Sequence, residues 1–395
     1  MKGDLSGDVM NEFFLGYERS KGVGARNHVA ILPSVVCADE VARKIEDQVG
    51  NTRAFLHHQG CIQMGKDLEQ THRALVGFGC NPNCHSVLVV SLGCEAIDAQ
   101  ALADDIAKSG KQVELITIQR SGGTAKAIEK GVQIARVMAR DASKARRREF
   151  SVSDLTIGVK CGASDTTSGI ASNPATGHAA DAIVRAGGRV IFGETTEILG
   201  AEHILARRAI TTEVGERVYE IAERMEREGM RMGVDIRGSQ PTPGNIRGGL
   251  SSIEEKSLGA ILKAGTSPLN EVIEYAEAPS RRGLVLMDSP GREVEVVSGF
   301  MASGAQVVVF STGLGAPFGL PVVPVMKVTG NPRTAEELAD DIDVDVSGIV
   351  TAGESVPEAG RRIYNEIISV ASGKEVKAEV AGYRFVDIWR IGPTL

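Results

Sequence analysis

The chain has 395 residues, of which 42% are hydrophobic and only 4% aromatic, and a formal net charge of −7. Such a length suits two or three domains with a sizeable core, while an acidic balance and few aromatic rings leave neither a cationic footprint nor a stacking surface for nucleic acid. No apolar run approaches the roughly 20 residues that span a bilayer, and the start Met1-Lys-Gly-Asp-Leu-Ser lacks a basic stretch followed by an apolar core, so the reading is a soluble cytoplasmic protein with no membrane partner.

Short apolar runs alternate with amphipathic stretches from residue 29 onward. Strands are expected at 29–33, 54–57, 87–92 and 113–118, with helices at 39–49, 67–76, 98–109 and 124–142 between them. Those four units make one complete domain over 1–150, ending in a basic helix terminus and a linker at 143–154. The rhythm resumes in 151–395, with strands at 155–159, 189–193, 284–287, 306–310 and 322–328, a helix at 213–230 and a division point near 280. The expected fold class is α/β, as two doubly wound, mostly parallel-sheet domains.

All six cysteines lie within the first 161 residues, and Cys61, Cys94 and Cys161 each sit against a glycine just past an apolar run. At the carboxyl ends of parallel strands such thiols can converge, and in a reducing compartment they serve as ligands or nucleophiles rather than disulfides. Soft thiolates favour iron, either as an iron–sulfur cluster with one open iron or as a mononuclear site also using His57 or Glu95. The group Cys80-Asn-Pro-Asn-Cys84-His85 lacks the second ligand pair that zinc requires, and Cys37 reads as packing.

The densest polar segment runs from Lys160 to Pro174. It carries Cys161, Ser164, Asp165, Ser168 and Asn173 directly after a buried strand, suited to binding an oxyanion or to capping the next helix. Beyond the strand at 189–193 come Glu194, Glu197, Glu202 and His203; His203 is the preferred proton-transfer residue, its charge tuned by a neighbouring carboxylate. Lys256 is the second candidate base, against a plain surface pair with Glu254 or Glu255. Arg26 and Arg207 or Arg208 are candidates to clamp a carboxylate through a bidentate fork. A glycine loop at 312–319 imitates a dinucleotide motif, but Pro317, Pro321 and Pro324 exclude the helix that motif must open.

The runs Gly158-Val-Lys-Cys-Gly-Ala-Ser-Asp165, Gly193-Glu-Thr-Thr-Glu-Ile-Leu-Gly-Ala-Glu-His203, Pro241-Thr-Pro-Gly-Asn-Ile-Arg-Gly-Gly-Leu250 and Glu254-Glu-Lys-Ser-Leu-Gly259 resemble the altronate and galactarate dehydratase family, which includes the large subunit of sulfolactate sulfo-lyase. The likeness extends in order from about residue 24 to the C-terminus. It implies a hydro-lyase that converts a sugar acid to a 2-keto-3-deoxy acid, with Glu197, Lys256, Asp165 and His203 as catalytic candidates, Asn245 among the substrate-binding residues, and ferrous iron as cofactor. Release of bisulfite from sulfolactate is the close alternative; a noncatalytic subunit of the same fold is the third. Longer members carry a small domain in front of this region, and others encode it separately, so a small partner subunit and an oligomer are expected. Two positions depart from the family pattern: Leu314 stands where arginine is usual, and Ala163 where glycine is.

Overall fold

The structure, a computed structural model, describes residues 12–393. Strands β1 (Phe13–Glu18) and β2 (Val23–Gly24) pair antiparallel, and then β3 (His28–Pro33), α1 (Asp39–Glu46), β4 (Thr52–Ala54), α2 (Gly65–Cys80), β5 (Cys84–Ser91), α3 (Ala99–Ala107), β6 (Val113–Thr117) and α4 (Thr124–Ala142) alternate. The sheet β4-β3-β5-β6 is parallel throughout. Because side chains alternate across a strand, Val29 and Ile31 of β3 face α1 and α4, whereas Ala30 and Leu32 face α2 and α3. Burial on both faces is why these strands read as continuous apolar runs.

Residues 143–154 are not a plain linker: β7 (Arg148–Ser151) pairs antiparallel with β1, and the Phe14 and Phe150 rings lie 6.4 Å apart. A strand also precedes the one expected first. Neither was legible, because β1 buries only alternate residues and β7 buries none fully.

Next come β8 (Thr156–Gly162), α5 (Asn173–Arg185), β9 (Arg189–Phe192), α6 (Glu202–Arg207), α7 (Thr212–Arg231), β10 (Leu269–Ile273), β11 (Gly283–Met287), β12 (Val307–Thr312), β13 (Val325–Thr329) and β14 (Val344–Asp345). They form a parallel sheet in the order β10-β11-β9-β8-β12-β13-β14. Residue 280 falls between two neighbouring strands of this sheet, so the chain there stays within one layer. Helix α5 and the helix Val356–Ala371 cover one face, while Glu293–Ala302 covers the other and packs on α2 of the first sheet. That contact is tight: a Cβ on Gly77 would stand 2.4 Å from the Ala302 carbonyl oxygen, so only glycine admits it. One apolar cluster therefore runs from Leu32 and Phe78 through to Phe300 and Val308.

The segment after residue 384 returns to the first sheet, where Gln70 donates to the Trp389 carbonyl at 2.7 Å and Asp67 accepts from the Ile391 amide at 2.9 Å. Among the described residues no helix is long and apolar enough to cross a membrane.

Candidate active site

The chain order reverses at β8, which has β9 on one side and β12 on the other. In open parallel sheets the crevice outside the carboxyl ends at such a switch point is where ligands bind. Here it collects Lys160 and Cys161 from β8, Glu194 and Glu197 after β9, Gly313 after β12 and Asn331 after β13. Asp165 pins the loop that follows β8: its Oδ1 accepts from the Ser168 amide at 2.9 Å and the Thr167 hydroxyl at 2.7 Å, and its Oδ2 from Asn331 Nδ2 at 2.8 Å. A Cβ on Gly313 would lie 2.3 Å from Asp165 Oδ1, which is why the β12 end carries glycine.

Beneath this loop lies a chain of buried charges. Lys160, 1% exposed, donates to the fully buried Glu194 carboxylate and, at 2.6 Å, to the Cys161 carbonyl. Lys263 Nζ stands 2.8 Å from Glu194 Oε2 and 3.8 Å from Glu197 Oε2, and Lys256 Nζ stands 3.4 Å from Glu197 Oε1. The order is Lys160, Glu194, Lys263, Glu197, Lys256, with the Glu293 carboxylate acting on Lys160 as well. Burial pushes the Glu197 carboxyl upward, but the ammonium groups of Lys256, Lys160 and Lys263 outweigh it and hold it down at about 2. Burial also opposes the charge on Lys160, yet Glu194, Glu197 and Glu293 keep its ammonium form favoured. Cys161 is different: burial, reinforced by Glu197, pushes its thiol upward, so it is held as neutral SH.

A depressed carboxyl stabilises the fold fully above its unfolded value, near 4.5 for Glu197, and that contribution is lost as pH falls toward its folded value of about 2. Acid unfolding followed by circular dichroism is therefore expected to shift to higher pH in Glu197→Gln, with the stability difference between the two proteins full above about pH 4.5 and closing toward pH 2.

Above the array opens a cleft of about 230 Å³ between residues 164–173 and 250–262. Ser164, Asp165, Ser168, Asn173 and Lys256, candidates from the sequence, line it. Glu197 joins them through its contact with Lys256. The Asn173 amide donates to the Gly259 carbonyl at 2.9 Å and to Cys161 Sγ at 3.4 Å, which leaves Oδ1 facing no partner. Asn245 acts at one remove: its Nδ2 donates to the Ser164 carbonyl at 2.9 Å and its Oδ1 accepts from Thr242, so it clamps the loop rather than facing the cleft.

Three expected site residues lie elsewhere. Helix α6 turns Glu202 inward, where it meets Arg237 at 2.8 Å, so the next residue, His203, projects outward and is exposed. Arg207 is exposed on the same helix and donates to the His203 carbonyl at 3.0 Å. Arg26 spends all its donors on structure: both arms bond Glu379 at 2.8 Å, and the rest reach the carbonyls of Ala25, Val370 and Lys374 at 2.8 to 2.9 Å. It ties the N-terminal strands to the C-terminal segment and has no fork left for a substrate.

The thiols do not converge either. Cys61 and Cys94 are exposed in loops at the ends of β4 and β5, whereas Cys161 is buried in the other sheet with its sulfur 2.9 Å from the Ser164 hydroxyl. Among the described residues no three His, Cys, Asp or Glu side chains are grouped to hold a metal ion, so this chain alone does not fit the three-thiolate iron site. Lys160 and Lys263 went unremarked in the sequence, although a signal was there. Each is a lysine inside an apolar run, in Ile157-Gly-Val-Lys-Cys161 and Ile261-Leu-Lys-Ala264, and a buried lysine requires a carboxylate partner.

The loop carries a strained residue where the family has glycine: Ala163 has φ of +48°. That region disfavours any side chain with a Cβ, so Ala163→Gly is expected to raise stability by about 0.5–1 kcal/mol, read as a higher urea midpoint at unchanged slope.

Comparison with known proteins places both sheets in one family. The family model for the D-galactarate/altronate dehydratase C-terminal region matches residues 152–394, and that for the second domain of D-galactarate dehydratase/altronate hydrolase matches 16–143. The chain is 39% identical to (2R)-sulfolactate sulfo-lyase subunit beta of Chromohalobacter salexigens, over 97% of this chain and 99% of that one. It is 32% identical to altronate dehydratase of Bacillus subtilis, over 98% of this chain and 79% of the relative, and 36% identical to galactarate dehydratase (L-threo-forming) of Escherichia coli, over 77% and 59%. With two family models spanning both sheets and relatives above 30% identity over nearly all of this chain, the chain belongs to the galactarate/altronate dehydratase family of hydro-lyases.

Proposed function

We propose that this chain is the large, catalytic subunit of a lyase that removes the C2 proton and a C3 substituent from a short 2-hydroxy carboxylate, leaving a 2-keto acid. The observation that carries the reading is the buried array of three lysines and two glutamates at the switch-point crevice. Taking a proton from the carbon beside a carboxylate builds an enediolate with two negative charges, and preorganised ammonium groups in a water-poor site stabilise that charge as it develops. Glu197 is the base: it is held ionised, and its Oε2 accepts no hydrogen bond. Movement of Lys256 away from Glu197, toward the incoming anion, raises the basicity of that carboxylate at the moment it is needed. The C2–H electrons form the C2–C3 double bond, the C3 substituent departs with its own pair, and the enol becomes the ketone.

Water is the proposed leaving group, from an aldonate or aldarate such as altronate or galactarate. A second reading, bisulfite from sulfolactate, is favoured by the end-to-end match to a sulfo-lyase subunit. The two differ in one requirement: hydroxide must be protonated to leave, whereas sulfite leaves unaided. That relative is named as one subunit of an assembly, which supports a separate small subunit completing the enzyme here as well. The six cysteines are all free, in keeping with a reducing cytoplasm. An iron requirement is part of the proposal and is tested directly by iron and sulfide analysis of anaerobically purified protein; no step above depends on it.

The reading is tested by incubating the chain, with and without its small partner, with altronate, galactarate and (2R)-sulfolactate, and assaying 2-keto acid and sulfite. Keto acid without sulfite supports the dehydratase and stoichiometric sulfite the sulfo-lyase. No product from any of the three, with partner and iron present, favours a noncatalytic subunit.

A further inference from the structure

Two features of the cleft at residues 164–173 and 250–262 are not explained by folding. The first is an orphan. Asn173 is 1% exposed and lines the cleft, and both donors of its amide nitrogen are committed, to the Gly259 carbonyl and Cys161 Sγ. Those donations fix the amide orientation, so the group left facing no partner is Oδ1, a pure acceptor. A buried acceptor without a donor is destabilising, and such atoms mark places where something else supplies the hydrogen.

The second feature is a loosely held cation. Lys160 and Lys263 are each in short contact with Glu194, but Lys256 is looser: its side chain is 11% exposed, its contact with Glu197 is 3.4 Å, and among the described residues its other polar partner is Gln240 Oε1 at 3.3 Å. It lines the same cleft as Asn173. An ammonium held this loosely at a cleft can turn to meet an incoming acid group, whereas Lys160 and Lys263 are committed to Glu194.

Resting on the function proposed above, we infer that Lys256 and Asn173 together form the substrate-recognition subsite, the Lys256 ammonium binding an acid group and Asn173 Oδ1 accepting the hydrogen of a substrate hydroxyl. This deepens the reading in a specific way. An acceptor-only contact distinguishes the hydroxy acid from its keto product, because the product no longer carries that O–H; recognition and product release then come from the same atom. The subsite needs nothing from the 314 position, where Leu314 is exposed with its amide bonded to the Ala163 carbonyl at 2.9 Å. The arginine usual there is thus not required for holding the acid.

The experiment is calorimetric titration of the chain, with its small partner where it copurifies, using (2R)-sulfolactate, altronate and galactarate, and using 3-sulfopropanoate, which is sulfolactate without its hydroxyl. The protein is wild type, Lys256→Gln, Lys256→Arg and Asn173→Ala. Wild type is expected to bind the hydroxy acid about 10-fold more tightly than its deoxy analogue, and Asn173→Ala to lose that preference while still binding both. Lys256→Gln is expected to weaken both ligands by about 10-fold or more, with Lys256→Arg recovering part of the loss. Should Asn173→Ala fail to fold, the comparison of the two ligands on wild type still tests the contact, because it deletes the hydroxyl from the ligand side. Equal affinity for sulfolactate and 3-sulfopropanoate on wild type overturns the hydroxyl contact, and unchanged affinity in Lys256→Gln overturns the anion contact, in both cases with the proposed reaction class standing. Wild type that binds none of the three hydroxy acids overturns the reaction class and this inference together.

Discussion

Glu197→Gln is expected to lower kcat by about 10²- to 10⁴-fold, the range over which a positioned general base contributes, while leaving substrate affinity nearly unchanged. The expectation follows from position. Glu197 lies one contact away from the cleft through Lys256, it is ionised because three ammonium groups surround it, and Oε2 has no hydrogen-bond partner to compete for a proton. Glutamine keeps the shape and removes the basicity. A purely structural role would give a different signature, in which activity falls in proportion to the folded fraction and recovers on cooling. The kcat and KM values, measured well below the melting temperature of the variant, separate the two. A wild-type rate retained in Glu197→Gln would pass the role of base to another group and leave Glu197 as a counter-charge.

Lys160→Met is expected to destabilise the protein by about 3–5 kcal/mol, the usual result of removing one partner from a buried ion pair. For a protein of 395 residues that corresponds to a melting temperature lower by about 5 °C. The reason is that Glu194 has no exposure at all, so it cannot turn to water when Lys160 is gone and must share Lys263 with Glu197. Glu194 also sits at φ of +73°, a backbone conformation that residues other than glycine adopt only when surrounding contacts hold them there. Neutralising both members, as Lys160→Met with Glu194→Gln, is expected to lose less than the sum of the single variants. A thermal-melt double-mutant cycle measures this directly, and additive losses would mean that the two side chains do not act as a pair.

Much of the fold was legible because parallel sheets leave a strong trace. Strands β3, β5 and β8 are buried on both faces, so they appear as runs of Val, Ile and Leu, and α4 carries a clean apolar stripe from Ala127 to Met138. What escaped was the weakly apolar periphery: β1 alternates, β7 buries no residue fully, β14 is two residues long, and β10 is half-buried at a sheet edge. Their existence depends on long-range pairing, such as Phe14 with Phe150, which no local pattern encodes.

The site divides along the same line. Local chemistry in the sequence determined the polar loop after β8, because Cys161 through Asn173 is one segment whose own hydrogen bonds hold Asp165 and Ser168 in place. It also determined family membership and the reaction class that membership implies. Only the tertiary structure decided which charges meet. His203 and Glu202 are neighbours in sequence, yet the helix sends one out and the other in; Lys160, Glu194 and the Lys256/Lys263 segment are separated by tens of residues, yet the carboxyl ends of β8 and β9 and the helix Ile253–Ile261 with the turn after it bring them together. The same holds for Cys61 and Cys161, which share a glycine signature but end on different sheets. Sequence spacing records the chemistry each side chain can do; the physical reason it cannot record partners is that contact across a sheet is set by strand order, and that is fixed only when the whole layer packs.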